Sequence, residues 1–303
     1  IFKDPSLAIK YIKSFENNRN GFVIKADGLA AGKGVILTNN HNESINAIET
    51  MLVKKEFGTA GSKIIIEEKL EGIEASIFAL SDGKTAYLLS TAQDYKRAFE
   101  NDLGPNTGGM GAISPAPSID KLLSDKIIND IIQPIISGMA NEGNIYKGIL
   151  YCGIMLTKNG PQVIEFNARF GDPEAQAILP RLKSDLVTAF LTTIEGGLNH
   201  FDLRWHDKTA ITVVMASKGY PNKYNKNFPI TGISEVEKNG CLVFQASTKE
   251  NDDKILITDG GRVLSITSIG KDIKEAQKNV YNNIRKINFK SAFYRNDIGS
   301  FNI

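Results

Sequence analysis

The sequence has 303 residues, enough for roughly two domains, because a single hydrophobic core rarely grows past about 250–300 residues. Hydrophobic residues at 42 % and charged residues at 23 % are globular values and exclude a disordered, collagenous or fibrous chain. Lys plus Arg at 36 against Asp plus Glu at 34 leaves a formal charge of +2, too balanced for wholesale binding to nucleic acid or a membrane surface.

In chain order, Ser6 to Phe15 reads as an amphipathic helix, Gly21 to Lys25 as a short apolar strand, and Ile45 to Leu52 as a second helix. Ile64, Ile65 and Ile66 form a β-branched strand. Ala75 to Leu80 and Ala86 to Ser90 alternate as strands around Asp82-Gly83, a turn pair that suits an antiparallel hairpin. From Asp102 to Pro117 the glycine and proline content predicts a long loop, with neither helix nor central strand. A helix from about Ile119 to Asn141 is expected next. Two strands follow, Gly148 to Leu156 and Gln162 to Phe166, and then a helix from about Ser184 to Glu195. After Gly196-Gly197 the texture turns to short strands at Thr209 to Ala216, Leu242 to Ser247, Ile255 to Thr258 and Arg262 to Ile269, and a helix is expected over Ile273 to Arg285. The expected organisation is a small α/β lid over 1–66, a larger α/β body over 67–196 and a β-rich unit over 197–303, with no internal repeat.

Several segments carry chemistry. VIKADGLAAGKGVIL sets Lys25 at a strand end before Gly28, Gly32, Lys33 and Gly34. Glycines let backbone N–H groups approach phosphate oxygens, and ammonium groups neutralise charge that moves during phosphoryl transfer. Gly34 follows Lys33, so this is not a Walker-type loop, and a plain glycine-rich hairpin is the competing reading. Glu67, Lys69, Leu70 and Glu74 follow the isoleucine strand, where carboxylates suit ribose hydroxyls; a solvated acidic face is an equal alternative. In VIEFNARFGDPEAQA, Glu165 and Asn167 alternate on one face of a strand, and both are hard oxygen ligands of the kind Mg²⁺ takes beside phosphates. If the strand continues, Arg169 shares that face and can clamp a phosphoryl oxygen. Asp172 and Glu174 flank Pro173. The alternative buries Glu165 and Asn167 in an ion-pair network. Among the polar residues from Gln93 to Arg97, Asp94 suits an amine and Arg97 an anion, unless the cluster is only an exposed turn. Gly108 and Gly109 permit close backbone contact with a substrate.

His41, His200 and His206 are scattered without Cys or Ser partners, and Cys152 and Cys241 form no CxxC or zinc spacing. Buried thiols and a reducing, cytoplasmic compartment are expected. No apolar run approaches the roughly 18 residues of a membrane span. No basic stripe interleaved with aromatics points to nucleic acid.

With these residues assembled, the chain resembles the ATP-grasp ligases and, within them, the phosphoribosylamine–glycine ligase family. IKADGLAAGKGV, EEKLEGIEAS, QDYKR, GPNTGGMGA, IEFNARFGDPEAQ, KSDLV, VVMASKGYP, GGRVLSIT and YRNDIG stand in that family's order, and RFGDPEAQA is close to diagnostic. The resemblance implies ATP-dependent joining of glycine to 5-phospho-β-D-ribosylamine in purine biosynthesis. It implies that Lys25 touches the nucleotide phosphates and that the Gly28 to Gly34 loop, with Gly32 and Lys33, covers them. Glu67, the Lys69 to Leu70 backbone and Glu74 would hold adenine and ribose. Glu165 and Asn167 would bind Mg²⁺ or Mn²⁺, and Arg169 would stabilise the transferred phosphoryl group. Asp94, Arg97, Gly108, Gly109 and Asp172 are the substrate-side candidates. Many ATP-grasp enzymes carry another acidic ligand on the preceding strand, but Leu150 to Leu156 has none, so fewer protein ligands are expected. The resemblance also implies a further α/β domain ahead of Ile1, packed on this chain and completing the ribosylamine pocket, and a monomeric enzyme. A chain without that domain is expected to bind ATP without turning over alone. An ATP-grasp ligase with another acceptor and an inactive nucleotide-binding module are the competing functions.

Overall fold

The computed structural model describes residues 1–15, 20–30 and 34–300 and divides into two compact units, Ile1–Glu71 and Gly72–Ile303. In the first, Asp4 caps α1 (Pro5–Lys13) by accepting from Leu7 N at 3.0 Å, with Pro5 at the first turn, where its missing N–H costs nothing. Three antiparallel strands, β1 (Phe22–Ala26), β2 (Val35–Leu37) and β3 (Ile64–Glu68), run in the order β2-β1-β3. Ile12 of α1 and Ile48 of α2 (His41–Ile48) pack with Ile24 and Ile64 of the sheet. The boundary expected at 66 falls inside β3.

The second unit is built on one antiparallel sheet of nine strands. The hairpin expected around Asp82-Gly83 is β4 (Ile73–Asp82) and β5 (Ala86–Asp94). Next come β6 (Arg97–Phe99), β7 (Leu103–Asn106) and β8 (Gly111–Ser114), then α3 (Lys121–Ile127) and α4 (Gln133–Asn141). A single wide π-helical turn, Ile128–Ile132, links α3 to α4 where the sequence predicts one continuous helix. Pro134 begins α4, and its ring cannot supply the N–H that an uninterrupted α-helix needs. β9 (Lys147–Thr157), β10 (Gly160–Asn167), α5 (Glu174–Ile178) and α6 (Leu186–Glu195) follow, and α6 ends on left-handed Gly196. The remainder is β11 (Thr209–Ser217), α7 (Ile233–Lys238), β12 (Leu242–Gln245), the small pair β13 (Thr248–Glu250) and β14 (Leu256–Thr258), β15 (Arg262–Gly270), α8 (Ile273–Ile284) and β16 (Ala292–Phe293).

The sheet order is β10-β9-β4-β5-β8-β11-β15-β12, with β16 also paired to β11. Period-two alternation sends Ala75, Ile77 and Ala79 of β4 against Ile127, Ile132 and Ile136 of the α3–α4 segment. Phe78 and Leu80 face Ile178 and Ala189 on the opposite side. A third cluster joins Ile211 and Val213 of β11 to Val280 and Ile284 of α8.

One expectation is corrected here. The segment from Asp102 to Pro117 is not a loop, since it contains β7 and β8, and β8 lies between β5 and β11 at the centre of the sheet with all four residues buried. Gly111 makes this possible, because a Cβ there would stand 2.7 Å from Thr212 O on the neighbouring strand. Pro105 lies in β7, whose residues are exposed, and Pro115 and Pro117 follow the end of β8. The β-rich unit expected from 197 onward shares the body's sheet, for β11 pairs with β8 in register Ala210↔Ser114 through Val213↔Gly111.

The β6–β7 hairpin is held by Arg295, which keeps only 2 % of its surface exposed. Its guanidinium reaches Asp102 Oδ1 at 2.9 Å, Arg97 O at 3.1 Å and both Asp297 oxygens at 2.8 and 2.7 Å, and lies 5.1 Å from the Tyr95 ring centre. Removing one partner of a buried pair leaves the others uncompensated. Arg295→Met is therefore expected to cost about 2–4 kcal/mol in urea unfolding, less than a fully buried pair because Asp102 is largely exposed. A change below about 0.5 kcal/mol, the usual size for a surface substitution, would show that the clamp carries no stability.

Candidate functional site

In the first unit, the register Lys25↔Ile65 and Val23↔Glu67 makes Lys25 and Glu67 diagonal neighbours, and Lys25 Nζ lies 2.6 Å from Glu67 Oε2. The lysine expected to meet phosphates and the carboxylate expected to meet ribose thus face each other. Gly28 N donates to Ala60 O at 3.1 Å, and Gly34 O accepts from Ala26 N at 2.7 Å. Both glycines answer to close packing, since a Cβ at Gly28 would stand 2.6 Å from Ala60 Cα and one at Gly34 2.7 Å from Ala30 Cβ. Gly32 and Lys33 lie outside the described residues. Lys69 and Leu70 follow β3, and the Lys69 ammonium is taken by Asn39 Oδ1 at 2.7 Å and Thr38 O at 3.2 Å. Glu67, Glu68 and Lys69 line one wall of a cleft of about 450 Å³ whose other side carries Tyr11, Phe15 and Phe22.

In the second unit, Glu74 on β4, Asp94 at the end of β5 and Lys96 just beyond it form one charged cluster. Lys96 Nζ bonds Glu74 Oε1. Burial alone would lower the Lys96 pKa, but the nearby Asp94 and Glu74 carboxylates outweigh it and raise it above the ordinary lysine value. Burial pushes the Asp94 carboxyl up, with Lys96 pulling it down and Glu74 and Glu165 pushing further. Glu174, 4 % exposed, is pushed up by burial and by Asp94. Burial followed by the same two carboxylates raises the Tyr151 hydroxyl, which accepts from Ser76 Oγ at 3.0 Å. Asp94 Oδ1 is buried and has no hydrogen-bond partner among the described residues.

Glu165 and Asn167 share a face at the end of β10, Asn167 Nδ2 donating to Glu165 Oε1 at 3.0 Å. Glu165 is exposed and holds no ion pair among the described residues, so the buried-network alternative does not apply to it. A carboxylate beside a carboxamide is a donor set that fits Mg²⁺ or Mn²⁺, which take phosphate and water in their remaining positions. Among the described residues no group of three or more His, Cys, Asp and Glu side chains is arranged to hold a metal alone. The strand stops at Asn167, so Arg169 is not the next member of that face; its Nη1 donates to Phe170 O at 2.7 Å.

The candidate substrate residues fall into two groups. Gly108, Gly109 and Asp172 come together: Arg262 Nη1 donates to Gly108 O and to Asp172 O, both at 2.8 Å, and Nη2 to Asp172 Oδ2 at 2.9 Å. Gly108 N donates to the Tyr220 hydroxyl at 3.0 Å. Gly109 takes φ +112°, and a Cβ there would lie 2.4 Å from Pro173 Cδ, so this glycine serves a close approach between chain segments. Arg97 belongs to the β6–β7 hairpin and turns its guanidinium onto Gly104 O at 2.8 Å. Lys96, Glu174, Gln176, Tyr220 and Arg262 were not singled out as site residues. All five stand inside the QDYKR, RFGDPEAQA, VVMASKGYP and GGRVLSIT motifs, but Arg262 is 90 residues from Asp172 and nothing in its local pattern indicates that pairing.

Residues 1–175 match the sequence model for the phosphoribosylglycinamide synthetase ATP-grasp (A) domain, and residues 210–301 match that for its C domain. The chain belongs to the phosphoribosylglycinamide synthetase family. Within it, the chain is 49 % identical over 278 residues to the phosphoribosylamine–glycine ligase of Caldanaerobacter subterraneus, covering 92 % of this chain and 66 % of that protein. It is 48 % identical over 299 residues to the trifunctional purine biosynthetic protein adenosine-3 of Gallus gallus, covering 98 % of this chain and 30 % of the larger protein. The chain thus spans just under two thirds of the bacterial relative and less than one third of the avian one. The crystal structure of phosphoribosylamine–glycine ligase from Thermotoga maritima superposes with a TM-score of 0.85 at 32 % identity, over 98 % of this chain and 72 % of that one. A biotin carboxylase domain from Hydrogenobacter thermophilus, solved with MgADP, superposes at TM-score 0.69 with 15 % identity over 97 % of this chain and 62 % of that one, a likeness of fold alone. The synthetase-family chain has the ATP-grasp fold. Among its described residues no helix is long and apolar enough to cross a membrane.

Proposed function

We propose that this chain is the ATP-grasp and C-terminal part of a ligase that joins glycine to 5-phospho-β-D-ribosylamine, giving glycinamide ribonucleotide, ADP and phosphate. The observation that carries the reading is the oxygen pair Glu165–Asn167 beside a substrate side built of buried acceptors, in a chain with close phosphoribosylamine–glycine ligase relatives. In the reaction, a glycine carboxylate oxygen attacks the γ-phosphorus of ATP, the bond to ADP breaks, and glycyl phosphate forms. The ribosylamine nitrogen then attacks the acyl carbon, phosphate leaves with the C–O electron pair, and the amine gives up a proton. Such steps need positioning and charge stabilisation rather than a side-chain nucleophile. Both cysteines are buried, and burial pushes the Cys152 thiol up to about 12, which fits that chemistry.

Lys25 and the Gly28 to Gly34 loop contact phosphates in this reading, and Glu67, the Lys69–Leu70 backbone and Glu74 hold the nucleoside. Glu165 and Asn167 hold Mg²⁺ or Mn²⁺, which supplies charge neutralisation at the phosphates when bound. Arg169 stabilises the phosphoryl group in transfer. Asp94, whose Oδ1 lacks a donor, accepts from a substrate amine, and Asp172, Gly108 and Gly109 shape that side. Arg97 remains a candidate for a substrate anion. A monomeric cytoplasmic enzyme belongs to the same proposal.

The test is phosphate release from MgATP by the full-length protein, with a panel of carboxylates and amines. Glycine is expected to stimulate release, and phosphoribosylamine to convert it into glycinamide ribonucleotide formation. Stimulation by another amino acid in place of glycine would overturn the substrate assignment while leaving the fold intact.

A further inference from the structure

Asp172 lies just before α5 and Gln176 within it, four residues on, and Gln176 Nε2 donates to Asp172 Oδ1 at 3.0 Å. The other carboxylate oxygen, Oδ2, accepts from Arg262 Nη2 at 2.9 Å. Nη1 of the same guanidinium donates at 2.8 Å to Asp172 O and at 2.8 Å to Gly108 O. Arg262 thus holds Asp172 by carboxylate and carbonyl together and ties it to the glycine segment, a task for a planar fork that an ammonium cannot repeat. The Gln176 backbone is fixed as well, its carbonyl accepting from Thr267 Oγ1 at 2.9 Å.

This network settles which way the Gln176 carboxamide points. An ionised carboxylate only accepts, so the amide nitrogen must face Asp172 and the amide oxygen must face away. That oxygen, Oε1, is buried and has no hydrogen-bond partner among the described residues, as Asp94 Oδ1 also has none. Buried acceptors without donors are costly and few in folded proteins. A ligand rich in N–H donors would satisfy them, and both substrates of the proposed reaction carry a primary amine.

Resting on that ligase reading, we propose that Arg262 and Asp172 are positioning residues that present Gln176 Oε1 as an acceptor for an N–H of a primary amine substrate. The carboxamide accepts without adding a charge to the Asp172 network.

The experiment uses the full chain and measures binding of glycine and of phosphoribosylamine, separately, in the presence of Mg²⁺ and a non-hydrolysable ATP analogue. Gln176→Leu is expected to weaken one of the two amines by about tenfold, the size of one hydrogen bond to a charged or strongly polar donor. Which amine responds identifies the source of the N–H. Gln176→Glu, which puts an acceptor where Nε2 donated to Asp172 and adds a charge, is not expected to restore binding of that amine, and wild-type affinity in this variant would overturn the inference because the proposal requires the neutral carboxamide held by Asp172. Arg262→Lys is expected to weaken the same amine several-fold, with the ATP analogue unchanged. Unaltered binding of both amines to Gln176→Leu would overturn this inference alone. Equal loss of amine and ATP analogue in all three variants would also overturn it, as a general folding defect. A wild-type chain that binds the ATP analogue but neither amine would overturn the ligase reading together with the inference.

Discussion

Glu165→Ala is expected to abolish glycine-stimulated phosphate release, lowering it by more than about 100-fold, because even outer-shell partners of metal ligands are worth roughly 10–100-fold. Glu165 is the one carboxylate of the oxygen pair at the end of β10, and Asn167 Nδ2 already leans on it at 3.0 Å. Alanine removes the charged ligand and the partner that orients the carboxamide. Because Glu165 is exposed and supports no ion pair among the described residues, its loss is not expected to unfold the chain. The matching measurement is ATP binding with and without Mg²⁺: the metal-dependent gain in affinity should vanish, and metal-free binding should stay within about twofold, since ligand and non-ligand contributions at separate sites add independently. Asn167→Asp, which keeps an oxygen in the same place, is expected to retain metal-dependent binding. Phosphate release unchanged in Glu165→Ala would sink the metal assignment.

Lys96→Met is expected to destabilise the second unit by about 2–3 kcal/mol at pH 8, below the usual loss for a fully buried pair because Lys96 and Glu74 keep 34 % and 30 % of their side-chain surface. Lys96 is the cation that faces Glu74 and Asp94, with Glu174 and Glu165 close behind. Without it, the Asp94 and Glu174 carboxyls lose a nearby positive charge that favours their ionised forms. Both already have folded-state pKa values above their unfolded ones, with burial as the main cause in each. A carboxyl of that kind binds its proton more tightly folded than unfolded, so it favours the folded state at low pH and that contribution is lost as pH rises from the unfolded pKa through the raised folded value. The destabilisation by Lys96→Met is therefore expected to shrink to about half at pH 5, where these groups hold protons. Urea unfolding of both proteins at pH 5, 6.5 and 8 measures this, and a pH-independent difference would show that Lys96 stabilises by packing its stem rather than by charge.

The same cluster illustrates how far local sequence can be read. Asp94 and Lys96 stand two residues apart in QDYKR, and a turn of mixed charges is visible there. What cannot be read is that Glu74, from the preceding strand, reaches the same lysine, or that Glu174 is buried against them from a helix that follows Pro173. Such pairings depend on strand register and helix docking, which a local pattern does not encode. Arg262 is the sharper case. Its apolar neighbours mark β15 as a strand, but its three-oxygen grip on Asp172 and Gly108 exists only once β15 lies beside β11 and β11 beside β8.

Glycine-rich segments misled for a related reason. The stretch from Asp102 to Pro117 carries the composition of a loop, yet Gly111 to Ser114 becomes a central strand because its small residues fit between two strands already carrying bulk, with Gly111 against Thr212 O. Composition reports what a segment would prefer alone, and burial in a sheet overrides that preference. The extension of β10 to Arg169 failed on the opposite count, since alternation gives a face but not the point where pairing ends.

By itself the sequence determined the elements with strong periodicity and the oxygen pair Glu165–Asn167, because each depends on residues a few positions apart and on the two-residue repeat of a strand. It also carried the glycine loop after Lys25 and the motifs of the phosphoribosylglycinamide synthetase family. The tertiary structure alone decided that the C-terminal strands continue the body sheet, that Lys25 faces Glu67, and that Arg262, Asp172 and Gln176 join in one hydrogen-bond network. Those outcomes depend on backbone hydrogen bonds and burial between segments tens of residues apart, where the free energy of packing, not local preference, selects the partner.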